Sequence, residues 1–153
     1  MRISAKVDYA IRATIELAVA APEGGKVKGD RIAAAQEIPL KFLENILLDL
    51  RHAGIVASQR GVDGGYWLAR PAAEITLADV IRAVEGPLAS VRGTRPGQIE
   101  YRGTAVPLAD VWLALRGALR GVLEGVTLAE LAAGELPEAI RELAAQPESR
   151  TAR

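Results

Sequence analysis

Apolar residues recur at helical spacing over residues 4–21, where Val7, Ile11, Ile15 and Val19 stand four apart with Ala10, Leu17 and Ala18 beside them. That period puts one apolar stripe on a helix. Ser4 is suited to cap its first turn by accepting an orphan backbone N–H, and Pro22 with Gly24-Gly25 ends it. After Lys26-Val27-Lys28, Asp30 is the expected cap of a brief helix bearing Ile32, Ala33 and Ala35, and the chain turns at Glu37-Ile38-Pro39. A third helix runs from about Leu40 to Ala53, with Pro39 in its first turn, and buries Leu43, Ile46, Leu47 and Leu50. Gly54 supplies its left-handed C-terminal cap.

The period then changes. Ile55–Gln59 and Tyr66–Ala69 read as two strands of a hairpin, and Asp63-Gly64-Gly65 supplies the positive φ angles its tip needs. Thr76 caps a fourth helix with Leu77, Val80, Ile81 and Val84 inside, stopped by Gly86-Pro87. Residues 88–106 show no sustained periodicity and read as a loop. Pro107 opens the longest helix, whose Leu108, Val111, Trp112, Leu115, Leu119, Val122 and Leu123 form an apolar face that needs a partner. Thr127 with Glu130 forms a capping box for a short helix, and a weak helix around Ala139, Ile140 and Leu143 precedes a frayed tail.

This pattern predicts a mostly α fold: a winged helix-turn-helix with a two-stranded wing and a long C-terminal dimerisation helix. The expected organisation is a winged helix-turn-helix domain over 1–86, a sensor-like loop over 87–106, the dimerisation helix and a short helix over 107–133, and a tail over 134–153. In such an order the third helix enters the DNA major groove and the hairpin reaches the backbone or minor groove.

Composition narrows the chemistry. Nineteen basic residues balance nineteen acidic ones, yet residues 1–70 carry two excess positive charges and 71–153 two excess negative ones. That asymmetry favours an anion-facing N-terminal module. The sequence has no cysteine, which excludes thiolate zinc sites, cysteine-ligated clusters, disulfides and a cysteine nucleophile, and its one histidine is His52. Charges interrupt every apolar stretch before the roughly 18 residues of a membrane span, so a soluble cytoplasmic protein is expected. No nucleophile–base pair, phosphate loop or metal cluster marks an enzyme. A winged-helix adaptor that binds protein instead of DNA is the alternative to a DNA-binding regulator, and the neutral net charge suits it.

The solvent face of the third helix shows Lys41, Phe42, Glu44, Asn45, Asp49, Arg51 and His52. Asn45 carries the amide for bidentate readout of adenine, Lys41 a charge for phosphate or guanine, and Arg60 a guanidinium on the wing. Lys6, Lys28, Pro39, Leu40, Gln59 and Gly61 complete the expected DNA contacts. Phe42 suits either the core or the DNA face. His52 reads as a helix C-terminal partner or phosphate contact, and Trp112 as dimer core. Asp8 and Arg12, one turn apart, form a surface ion pair or a ligand site.

Arg2-Ile-Ser-Ala-Lys6, Tyr9-Ala-Ile-Arg-Ala13, Phe42-Leu-Glu-Asn45, Leu50-Arg-His-Ala-Gly-Ile-Val56, Arg60-Gly-Val-Asp-Gly-Gly-Tyr66 and Glu74-Ile-Thr-Leu-Ala-Asp79 resemble the Rrf-two (Rrf2) family of bacterial transcriptional regulators. So do Leu68-Ala-Arg-Pro71, Ala83-Val-Glu-Gly86 and Val126-Thr-Leu-Ala-Glu-Leu131. The resemblance runs from Met1 to about Ala132. It implies a homodimer joined through the long helix on a partly palindromic operator, acting as a repressor. Cluster-binding members such as IscR and NsrR carry three cysteines in the loop before that helix, and one of the helix-one positions, here Asp8, ligates the cluster in some members. This loop has no cysteine, so no cofactor and no metal are expected, and the signal is an unknown small molecule or protein partner. A cavity between the loop and helix one would accept a small molecule.

Overall fold

Helix α1 (Ala5–Ala20) starts where the Ser4 hydroxyl accepts the Val7 N–H at 3.1 Å, and α2, α3, α4, α6 and the hairpin all pack around it. A computed structural model describes residues 1–152. The buried face of α1 is Val7, Ala10, Ala13, Thr14, Leu17 and Ala18. This corrects the expected stripe: Ile11 and Ile15 are only half-buried, and Val19 is 58% exposed. Ala10, Ala13 and Ala18 let several elements approach the α1 backbone at once around the buried Val7 and Leu17, leaving Ile11, Ile15 and Val19 at the margin. The buried Thr14 hydroxyl is satisfied by donating to the carbonyls of Ala10 (3.0 Å) and Ile11 (2.9 Å).

Helix α2 (Gly29–Gln36) is not capped by Asp30. Lys28 holds the N-cap position with no side-chain bond, and the Asp30 carboxylate accepts only the adjacent Arg31 N–H, at 2.9 Å. The N-cap must be the last extended residue, and Lys28 is extended because Val27 is bridged to Tyr66. Asp30 lies instead in the first turn, where its charge complements the helix dipole. Ile32 and Ala33 are buried, while Ala35 is exposed.

A turn through Glu37, with Ile38 buried, leads to α3 (Leu40–His52), so Pro39 stands just outside the helix rather than in its first turn. Leu43, Ile46, Leu47 and Leu50 have no exposed surface. Gly54, at φ 74°, closes α3 as its N–H reaches the Arg51 carbonyl and the Ile55 N–H that of Leu50, both at 3.0 Å. Strands β1 (Val56–Gln59) and β2 (Gly65–Leu68) pair antiparallel in the register Val56↔Leu68 to Gln59↔Gly65.

At the hairpin tip the positive φ angles fall on Gly61 (104°) and Gly65 (149°), not on Gly64. Gly64 is required for space: a Cβ there would stand 2.1 Å from the Gln59 carbonyl oxygen.

Helix α4 (Leu77–Glu85) opens with a reciprocal capping box between Thr76 and Asp79 at 3.0 and 3.2 Å. The following loop holds two single 3₁₀ turns, Pro96–Gln98 and Gly103–Ala105. Helix α5 (Leu108–Leu123) contains no buried residue.

A second capping box, Thr127 with Glu130, opens α6 (Leu128–Ala133). Backbone bonds from Leu77 N–H to the Val126 carbonyl (3.0 Å) and from Leu128 N–H to that of Ile75 (2.9 Å) draw α6 back against α1, with Leu128 fully buried. Residues 124–133 thus return to the winged core.

Helices α7 (Glu138–Ala145) and α8 (Pro147–Arg150) follow. The tail, expected to fray, forms α8 because Pro147 restarts a helix and Ser149 and Arg150 donate to the last carbonyls of α7, Leu143 (2.7 Å) and Ala144 (3.1 Å). The last residue of that expected tail, Arg153, lies outside the described residues. Among the described residues no helix is long and apolar enough to cross a membrane.

Candidate nucleic-acid interface

Burying Leu43, Ile46, Leu47 and Leu50 against α1 and α2 turns the opposite face of α3 outward, so Lys41, Glu44, Asn45, Arg51 and His52 are exposed. Between this face and the hairpin runs a groove of about 490 Å³, whose walls include Lys28, Asn45, Leu48, Arg51, Gln59 and Arg60. The structure therefore brings the predicted Lys28, Asn45, Arg51, Gln59, Arg60 and Gly61 into one concave surface, while Lys6, Pro39, Leu40, Lys41 and Phe42 lie outside its lining.

Polar contacts fix the groove's walls relative to each other. Arg51 Nη1 donates to the Ser58 hydroxyl at 3.2 Å, tying the end of α3 to β1. Lys28 Nζ donates to the Gly61 carbonyl at 3.1 Å, while Lys26 Nζ donates to Gln59 Oε1 and lies 5.4 Å from the centre of the Trp67 ring. Lys6 reaches Asp49 on α3 at 2.8 Å. Arg60 and Lys41 have no ion pair among the described residues, which leaves their charges available to an external anion.

The N-terminus of α3 adds to this. Pro39 offers no side-chain cap, so the exposed first turn at Leu40 and Lys41 keeps free N–H groups and the positive end of the helix dipole.

Phe42 is exposed on the α3 face at 39%, and its ring meets Tyr9 edge-on at 5.6 Å. Leu48, 42% exposed, lies in the groove between Asn45 and Arg51. It is a groove residue that sequence reasoning passes over because an apolar side chain reads as core. The signal was present, since Leu48 is three residues after Asn45 and seven after Lys41 and so shares their face. An apolar side chain there suits the methyl group of thymine.

Asp8 and Arg12 do form the i, i+4 ion pair, at 2.9 Å. Arg12 does more than decorate the surface: it donates to the Gln36 carbonyl at 2.6 Å and stacks 4.9 Å above the Tyr9 ring, fastening the end of α2 to α1.

The expected interface residues of α5 divide in two. Val111 and Val122 are exposed, with Leu113 beside them. Trp112, Leu115 and Leu119 are half-buried and line a cavity of about 670 Å³ with Met1, Ile3 and the loop at 87–91. Leu108 is also half-buried, and Trp112 Nε1 donates to the Tyr101 hydroxyl at 2.9 Å.

A helix-turn-helix whose exposed third helix and glycine-tipped hairpin share one open groove defines the winged helix-turn-helix class of DNA-binding proteins. Comparison with known proteins places the chain more narrowly. Residues 3–134 match the Rrf2 model, described as an iron-dependent transcriptional regulator. Over 144 residues the chain is 54% identical to Rv1287 of Mycobacterium tuberculosis, named as an HTH-type transcriptional regulator, covering 94% of this chain and 89% of the relative.

It is 35% identical over 132 residues to the HTH-type transcriptional regulator CymR of Bacillus subtilis, covering 86% and 90%. The solved structure of that protein, titled the global cysteine regulator, superposes with a TM-score of 0.74 at 34% identity over 88% of this chain and 98% of that one. The chain belongs to the Rrf2 family of bacterial winged helix-turn-helix transcriptional regulators, a family of DNA-binding regulators and not of enzymes.

The family description names iron, and the donors of this chain do not fit an iron–sulfur cluster. The sequence contains no cysteine, and among the described residues no three of His, Asp and Glu converge. Asp8 is already held by Arg12. Soft sulfur donors that offset the cluster's charge are what such a group requires.

Proposed function

We propose that the protein is a homodimeric repressor that lays α3 in successive major grooves of a partly palindromic operator and sets each hairpin against the flanking backbone. It works on chromosomal DNA in the cytoplasm, with no metal cofactor, under an effector that is a small molecule or a partner protein. The observation that carries this reading is the single groove shared by Asn45, Leu48 and Arg51 on α3 and Arg60 on the wing. In this reading Asn45 reads a base edge, Arg60 and Lys41 neutralise phosphates, and Lys6 and Lys28 orient the flanks. Dimerisation through α5 is supported by its apolar residues that the chain itself leaves uncovered.

Binding to the DNA upstream of its own gene, measured across salt concentrations, tests the docking. Arg60→Ala should weaken all sequences alike and lower the salt slope by about one unit, as loss of one phosphate contact does. Asn45→Ala should cost about 1–3 kcal/mol at particular base pairs and relax specificity there. Parent-like binding by both variants would refute the docking. Protein purified without oxygen should be colourless, with DNA affinity indifferent to chelators. Stoichiometric iron with visible absorbance would overturn the metal-free reading.

A further inference from the structure

Next to the cavity lined by Trp112 and Leu115, across the shared segment Pro87–Ala89, four arginines from three parts of the chain converge. Arg82 of α4, Arg95 of the loop, and Arg116 and Arg120 of α5 line a pocket of about 430 Å³ floored by Gly86–Ala89. Two carboxylates answer them: Asp79 stands 3.9 Å from Arg82 Nη1, and Glu124 joins Arg82 to Arg120. Glu124 accepts from Arg82 Nη2 at 2.5 Å and from Arg120 Nε at 3.0 Å. Among the described residues neither Arg95 nor Arg116 has an ion pair or a side-chain hydrogen bond.

Four guanidinium groups in one concavity repel one another, and a fold that gathers them with only Asp79 and Glu124 to answer leaves a site with surplus positive charge. Guanidinium forks match the oxygen pairs of phosphate and carboxylate groups, and several forks converging select for multiple charge. The remaining lining is glycine, proline, leucine and alanine, with no aromatic ring to stack a base and no amide to read one.

We propose that this pocket binds a small, multiply charged oxyanion, a phosphorylated or polycarboxylate metabolite, through Arg82, Arg95, Arg116 and Arg120. Its position supplies a route to the DNA face. The Arg82–Glu124–Arg120 bridge fastens α4, which packs on α3, to the end of α5, and an oxyanion competes with Glu124 for the same two arginines. Occupancy therefore exchanges an internal bridge for one through the bound anion. Only this consequence at DNA rests on the operator reading. The binding itself is measured on the full chain without DNA, so its failure leaves that reading standing.

The probe is inorganic pyrophosphate, followed by citrate, titrated by calorimetry at constant ionic strength against sodium chloride. Saturable binding of one anion per chain is expected. The double variant Arg95→Gln/Arg116→Gln should weaken it about tenfold or more, with its unfolding midpoint near the parent's. Arg60→Ala, on the wing, should leave it unchanged. Glu124→Gln removes the internal competitor and should tighten pyrophosphate binding by about threefold or more, a gain that misfolding does not produce. Unsaturable binding equal to that of chloride would overturn the proposal. So would loss of binding on Arg60→Ala, which would put the anion on the DNA face. Dissociation of a dimer by the double variant with anion binding intact would assign the arginines to a second copy, and would overturn it as well.

Discussion

Glu37 stands at φ 52°, ψ 46°, a left-handed conformation in which an L side chain crowds its own backbone. The turn between α2 and α3 demands it, since the Glu37 N–H closes α2 on the Ala33 carbonyl while Ile38 turns back into the core. Glu37→Gly should therefore stabilise the protein by about 0.5–1 kcal/mol, the relief of left-handed strain less the added freedom of the unfolded chain. Urea unfolding at equilibrium checks this, and a loss of stability would show that the turn is not strained. The sequence marks the turn at Glu37-Ile38-Pro39, but nothing in it says which residue turns left-handed. Similarly, Asp63-Gly64-Gly65 announces a hairpin tip, while the division of labour there, φ at Gly65 and space at Gly64, depends on how close the strands approach.

At the scale of elements, the threonine caps are legible where the Asp30 cap was not. Thr127 with Glu130 is a short-range pair announced by its three-residue spacing, whereas at Thr76 the sequence shows the cap and the structure adds the return bond from the Thr76 N–H to Asp79. The bridge between α4 and α5 has no such signature, because Arg82 and Glu124 are far apart in sequence. Hydrogen bonds from Arg120 and then Arg82 hold the Glu124 carboxyl down to about 2, below its ordinary 4.5. A carboxyl lowered by folding stabilises the folded state fully above its unfolded value, and that contribution disappears as pH falls from about 4.5 through 2. Unfolding midpoints of the parent and Glu124→Gln should accordingly differ by a constant amount between about pH 5 and 7 and converge toward pH 2. A gap that is unchanged in acid would show that the bridge does not contribute through its charge.

For the whole molecule, the decisive feature is α5, a sixteen-residue helix without one buried residue, whose Val111, Leu113 and Val122 are exposed. A face of that kind on a family regulator is expected to be covered by a second copy. Sedimentation should find a dimer at micromolar concentration. Val111→Asp, at a position 54% exposed within the chain, should give a folded monomer, because only the dimer would bury its carboxylate. Leu115→Asp lines the chain's own cavity as well and should both dissociate and destabilise. A folded monomeric parent, or a Val111→Asp dimer as tight as the parent, would refute association through this face.

What the sequence determined by itself is local: the helices through α7 and the hairpin, the caps at Ser4, Thr76 and Thr127, the closing glycine at Gly54 and the outward face of α3, with the absence of any thiolate donor. These follow from periods of two and 3.6 residues and from contacts within one turn, which carry their cause in adjacent residues. The tertiary structure decided what depends on distant segments meeting. It put alanines rather than isoleucines on the crowded side of α1, and moved the cap of α2 from Asp30 to Lys28 through the bridge of Val27 to Tyr66. It returned α6 to the core, and brought Arg82, Arg95, Arg116 and Arg120 to one pocket. Convergence of that kind is set by where the chain reverses and packs, and no local period encodes it.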